Sequence, residues 1–271
     1  MAETMTRFLL PLILAIFITP AQAFEHDHAL WSGLLARHVQ WNPAGTASTV
    51  DYAGLRAERP KLKGYLAQVS AVPRAEFDAW PQPERRAFLI NAYNAWTVEL
   101  ILGGDPKLKS IRDLGSLFSS PWKKRFFSLF GEKQSLDGIE HGLIRGAADY
   151  DDPRIHFAVN CASIGCPALR PEAYRAAQLD AQMEDQTRRF LRDRQINRFD
   201  AATGTLYLSS IFDWYGDDFE RSFRGSDSVA GFAARYAQEL GINKDQQRRM
   251  AAGEFKIEYT KYDWSLNRMA P

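Results

Sequence analysis

The chain has 271 residues, 45% of them hydrophobic and 25% charged, and its 34 Lys+Arg against 33 Asp+Glu leave a formal net charge of +1. These are the proportions of a globular protein with a sizeable core, and the charge balance lacks the basic field that gathers nucleic acid. Aromatic residues make up 13%, enough ring area to fill a core or line a groove.

Arg7 precedes an apolar run over residues 8–18, and Pro20-Ala21-Gln22-Ala23 ends in a small-x-small site. This pattern predicts a signal peptide over residues 1–23, cleaved after Ala23, and a periplasmic or secreted mature domain over residues 24–271. The run is about half of the ~20 residues that cross a membrane, and no later stretch approaches that length, so the mature chain is expected to hold no transmembrane segment. A new amino terminus at Phe24 would offer an amine, two amides and the His26 imidazole to Cu(II) or Ni(II), with a frayed polar end as the plainer alternative.

Apolar residues Leu30, Trp31, Leu34 and Leu35 recur at helical spacing, and a second helical pattern runs over residues 50–69. Pro83 suits the first turn of a third helix, predicted over residues 84–102, which is apolar nearly all round and should therefore be central and buried. Asn91 and Asn94 lie on one face of it. Buried carboxamides cost about 1–3 kcal/mol if unpaired, so they must either brace another backbone or border a solvated cleft. The basic run Lys123, Lys124 and Arg125 beside Phe126 and Phe127 reads as an edge strand with its charges in water, the alternative being a contact with a membrane surface or an anion.

Ser135 is the expected N-cap of a short helix ending at Gly146. Ile139, Leu143 and Ile144 form its apolar stripe with Glu140 inside and His141 at the edge. A carboxylate in that position must be paired or perturbed. Residues 154–160 then read as a buried strand, with Cys161 at its end and Cys166 after a turn. Later segments read as an amphipathic helix over 171–194, a hairpin over 197–208, a second amphipathic helix over 228–240 and a strand over 255–259.

Three readings of the two cysteines stay open. Cys161 is a nucleophile activated by His141, with Glu140 or an asparagine orienting the imidazole; or Cys161 and Cys166 form a disulfide, which export would favour; or both join His141 and His156 around a metal, although C-x4-C is a loose spacing for zinc. With no repeat and no long linker, the expected fold is a single α+β domain whose buried central helix packs on a small mixed or antiparallel sheet.

Five ordered motifs carry a resemblance: Phe88-Leu89-Ile90-Asn91-Ala92-Tyr93-Asn94-Ala95, the stretch from Ser135 to Arg145, Asp152-Pro153-Arg154-Ile155-His156-Phe157-Ala158 with Asn160-Cys161-Ala162 and Cys166-Pro167, Ile211-Phe212-Asp213-Trp214-Tyr215, and Tyr262-Asp263-Trp264-Ser265-Leu266-Asn267. In these the chain resembles the family catalogued as domain of unknown function 547, whose members often carry glycine where Ala162 stands here. The resemblance unites Asn91, Glu140, His141, His156 and Cys161 as one constellation and implies no substrate or cofactor. The leading expectation is a cysteine hydrolase or acyl/amide transferase, papain- or transglutaminase-like in logic, acting on a small molecule or peptide. Cys161 is its nucleophile, His141 its base, Glu140 the orienting group, Asn91 or Asn94 an oxyanion donor and His156 a second-shell or alternative base. Asn94, Arg154 and Asn160 are its candidate binding residues. The rival is a non-catalytic periplasmic binding or assembly protein stapled by Cys161–Cys166, and a metal-binding protein is the third reading.

Overall fold

A computed structural model describes residues 24–116 and 119–270; the predicted signal peptide and its cleavage site lie outside the described residues. Two hydrophobic cores are built in succession along the chain and share a boundary at the candidate site.

The first core is helical. Helix α1 (Ala29–His38) runs into the two-stranded hairpin β1 (Val39–Trp41) and β2 (Ser48–Val50), and is followed by α2 (Tyr52–Ala57), α3 (Arg59–Ala71) and α4 (Arg74–Ala79). Helix α5 (Gln82–Gly103) is the expected central helix, with Pro83 in its first turn and burial on every face from Ala87 to Leu102. Its neighbours are chiefly α3 and the segment around Glu140, and Trp96 stacks at 4.4 Å on Phe127 of the hairpin β3 (Phe127–Leu129) and β4 (Glu132–Gln134). The residues just after the predicted cleavage site pack on the core: Phe24 lies edge-on against Phe88 at 5.1 Å, and the His26 ring stands on Trp80 at 4.4 Å. The basic run also departs from expectation. Residues 121–123 form a one-turn 3-10 helix opened by Pro121, and the strand begins only at Phe127.

Glu140 lies in a π-helical segment, Gly138–Ile144, closed by the Arg145 N–H donating to the Glu140 carbonyl at 2.9 Å. Ser135 precedes it as expected, its Oγ accepting from the Gly138 N–H at 3.0 Å. The predicted strand over residues 154–160 is instead a one-turn helix, α6 (Ile155–Ala158). A short apolar run serves equally well as strand or buried helix, and here two cores decide the matter. Ile155 and Ala158 belong to the first core while Phe157 turns into the second, a division into two faces that one helical turn provides.

The second core gathers α7 (Leu179–Arg192), the strands β5 (Arg198–Asp200), β6 (Thr205–Ser209) and β7 (Lys256–Thr260), and the helices α8 (Ile211–Trp214), α9 (Gly216–Phe219), α10 (Val229–Arg235) and α11 (Lys244–Ala251). Strand β6 is central, antiparallel to β5 and parallel to β7. The expected 197–208 hairpin is β5–β6. This is an α+β fold, with its sheets small and its central helix in the first core.

Candidate functional site

A pocket of about 220 Å³ opens where the cores meet. The π-helical segment contributes Asp137, Glu140 and His141; α6 and the loop after it contribute His156, Cys161 and Cys166; α8 and its end contribute Trp214 and Tyr215; the terminal segment contributes Tyr262 and Trp264. Four of the predicted catalytic residues, Cys161, His141, Glu140 and His156, are therefore brought to one cavity.

Their contacts differ from those the expected roles call for. Cys161 and Cys166 are joined in a disulfide with their α-carbons 6.1 Å apart, so the cysteine loop is in its oxidised form. The loop is clamped on both sides. Asn160 donates from its side chain to the Pro167 carbonyl at 2.7 Å and accepts from the Ala162 N–H at 2.9 Å. Against its other edge lies the terminal segment: Ile164 N–H donates to the Ser265 carbonyl, Gly165 N–H to the Asp263 carbonyl, and Asn267 N–H to the Ala162 carbonyl. Ala162 has φ of 62°, the left-handed region in which a Cβ is strained. The backbone angle that glycine would supply is thus present with alanine, held by those two asparagines. The Tyr262 hydroxyl lies 3.1 Å from each sulfur.

His156 is buried, and its Nε2–H is fixed on Asp218 Oδ2 at 2.7 Å. Asp218 also receives Arg145 Nε at 2.6 Å and the Tyr150 hydroxyl at 3.1 Å. Burial pushes the Asp218 carboxyl up, but hydrogen bonds from His156 and Arg145 outweigh it and hold it well below the usual carboxylate range. For His156 the balance runs the other way: burial depresses its pKa against the pull of Asp218 and Glu140, so the ring is neutral. It stacks at 3.9 Å on Tyr215, and among the described residues its Nδ1 has no hydrogen-bond partner. An imidazole with one nitrogen tied to a buried carboxylate and the other unpartnered has the arrangement that general-base chemistry requires.

Glu140 does not orient His141. Its Oε1 accepts from the Tyr215 hydroxyl at 2.6 Å. Burial, and next the negative charge of Glu140, push the phenols of Tyr93, Tyr215 and Tyr262 up. His141 faces outward, its Nδ1 accepting from Arg145 at 2.7 Å, with Asp137 3.8 Å from Nε2. The lone pair a base would use is occupied there, whereas that of His156 is free.

The remaining predicted residues stand behind the pocket. Asn91 is engaged by the Tyr174 backbone, donating to its carbonyl at 2.7 Å and accepting from its N–H at 3.0 Å. Asn94 likewise joins the Ala158 carbonyl to the Asn160 N–H. With donors already committed, neither points at a reacting group; they hold α6 and the cysteine loop against α5. Arg154 is buried among Asp152, Asp180 and Glu184, an ion cluster that anchors α6 to α7. Asp218, Tyr215 and Tyr262 escaped the sequence reading as site residues. Asp218 follows the Asp213-Trp214-Tyr215 motif by three positions, and Tyr262 opens the terminal motif, so their neighbourhood was visible but not their direction.

Fold and pocket define an α+β protein with a disulfide-floored, aromatic-walled cavity backed by a His–Asp pair. Residues 77–191, less than half of the chain, match the model of the family described as "Protein of unknown function, DUF547". That segment, which runs from α4 to the end of α7 and includes Glu140, His156 and both cysteines, is similar to this family. No curated protein and no solved structure matches it.

Proposed function

We propose that this is an exported protein whose pocket carries a thiol-centred site: a cysteine-dependent hydrolase or acyl transferase, masked while Cys161 is bonded to Cys166. The observation that carries the reading is the His156–Asp218 pair, with Nδ1 of His156 unpartnered in a ring that lines the same cavity as Cys161. An external dithiol would open the bond by exchange and leave as its own disulfide. The Cys161 thiol would then pass its proton to His156, the thiolate would attack a carbonyl carbon, and the leaving group would take the proton back, giving a thioester that water or an amine resolves. Asp218 keeps the ring in the tautomer that can do this and stabilises the imidazolium, the division of labour of a nucleophile–histidine–carboxylate triad. Export accords with the amino-terminal pattern and with an oxidised cysteine pair.

The test is the pH dependence of Cys161 alkylation in a Cys166→Ser protein. The expected midpoint lies below the ordinary thiol value of about 8.5 and moves back toward it in the Cys166→Ser, His156→Gln double variant. A midpoint near 8.5 in both defeats the thiol reading. The formed disulfide favours a second reading, a stapled binding protein. In that case reduction of the native chain exposes two thiols of ordinary reactivity and leaves ligand binding unchanged.

A further inference from the structure

The outer wall of the pocket is a set of contiguous rings. Trp214 and Trp264 stack with centroids 5.7 Å apart at 18°, Tyr262 lies between them at 4.8 and 4.5 Å, and Trp122 meets Trp264 edge-on at 5.6 Å. Trp214 is 48% exposed, unusual for so large an apolar side chain and placed at the mouth of a cavity. Besides the phenols of Tyr93, Tyr215 and Tyr262, the ionisable side chains that line the space are the carboxylates of Asp137 and Glu140 and the imidazoles of His141 and His156; no lysine or arginine is among the described lining residues. Two cations lie against the rings of the wall: Arg145 over Tyr215 at 5.1 Å, already paired with Asp218, and Arg112 over Trp264 at 5.4 Å, leaving the opposite indole face to the cavity. With His156 neutral, two carboxylates and the electron-rich faces of indole and phenol rings remain turned on one cavity.

We infer that this pocket binds an alkylammonium group of about side-chain size, its hydrocarbon against the Trp122–Trp264–Trp214 wall and its charge shared between the aromatic faces, Asp137 and Glu140. At about 30 Å³ per water, 220 Å³ is the space of roughly seven waters, room for a lysine-like side chain or a small amine and too little for a folded peptide segment. Anions are disfavoured by Glu140, whose charge already presses on three phenols. The inference deepens the proposed acyl transfer by naming the class of its acceptor, an amine. Binding itself requires only the pocket, with the disulfide closed.

The experiment titrates the oxidised full-length mature protein with n-butylammonium, n-butanol and n-butyrate, three probes of one size and three charges, following tryptophan fluorescence and calorimetric heat. The expected result is at least a tenfold preference for the ammonium over the alcohol and no saturable binding of the butyrate. Trp264→Leu should weaken ammonium binding by about tenfold, within the range of one desolvated cation–π contact. Asp137→Lys, at a partly exposed position, should abolish it and admit butyrate; circular dichroism confirms that each variant is folded. Equal affinity for ammonium and alcohol, stronger binding of butyrate, or no binding of the ammonium overturns the inference. Because the assay contains no reductant and measures no turnover, its failure leaves the thiol reading standing, and failure of the alkylation test leaves the ammonium site standing.

Discussion

Asp218 is the side chain on which the site geometry depends most, and Asp218→Asn tests it with minimal change of shape. Its carboxylate is fully buried and collects Arg145, His156 and Tyr150 at 2.6, 2.7 and 3.1 Å. Removing one partner of a buried charge pair costs about 3–5 kcal/mol because the other is left uncompensated. Here the Arg145 side chain is 24% exposed and regains some water, and asparagine keeps one acceptor oxygen, so the lower end applies, about 3 kcal/mol. At about 2–4 °C per kcal/mol for a domain of this size, the midpoint of thermal unfolding at pH 7 should fall by about 6–12 °C. The pH dependence carries the sign. Since the folded pKa of Asp218 is depressed, its stabilisation is present above the ordinary carboxylate value of about 3.9 and is lost as pH falls from there toward the folded value. The gap between wild type and Asp218→Asn should therefore be constant from pH 5 to 7 and shrink below about pH 4. Thermal unfolding followed by circular dichroism at pH 7, 5 and 3 measures it. A gap under 1 °C at pH 7, or one that persists undiminished at pH 3, refutes the reasoning.

Three further outcomes follow from the same contacts. Opening Cys161–Cys166, which closes a loop of about six residues, should cost about 2 kcal/mol by loop entropy and lower the unfolding midpoint by about 4–8 °C, read by scanning with and without reductant; an unchanged midpoint would mean that the clamping hydrogen bonds alone hold the loop. In Gly165→Ala the new Cβ would stand 2.9 Å from the Asp263 nitrogen and 3.1 Å from the Tyr262 ring, so the terminal segment must shift away from the sulfurs. The disulfide of that variant should then be reduced faster by a water-soluble phosphine, and an unaltered rate would count against Tyr262 as its cover. His28, buried and with Nδ1 2.8 Å from the Tyr65 hydroxyl, has its pKa lowered to about 3 chiefly by burial. Between about pH 6.5 and 3 the unfolded chain takes up a proton that the folded one refuses, so stability should decline on acidification by at most about 1.4 kcal/mol per pH unit. His28→Asn, which suits the left-handed backbone there, should flatten that slope in denaturant titrations at pH 4 and 7; an unchanged slope assigns the acid sensitivity elsewhere.

What could be read in the sequence was set by periodicity. Helix α5 was legible because an all-round apolar stretch of its length has one solution, burial, and its asparagines then had to find backbone partners, which they did in Tyr174, Ala158 and Asn160. Glu140 was legible as a buried carboxylate for the same reason, but its partner Tyr215 lies 75 residues away and no local rule leads to it. The same distance problem hid Asp218, 62 residues beyond His156, since no local rule pairs that histidine with so remote a carboxylate. Residues 154–160 failed for a different reason: an apolar run too short to show a period takes its conformation from what it packs between, here two cores at once.

The clamp on the cysteine loop bears on how the protein is made. The strained Ala162, the loop edge at Ile164 and Gly165, and the hydroxyl over the sulfurs are all completed by residues 262–267, and Asn267 is in turn tied by its side chain to the Tyr52 hydroxyl at 2.7 Å. Until residues 262–267 dock, the pocket lacks one wall even with everything up to β7 in place. The cysteines are thus open to thiol chemistry until this segment closes over them. A chain truncated before Tyr262 should consequently react with a thiol reagent that the chain carrying this segment resists.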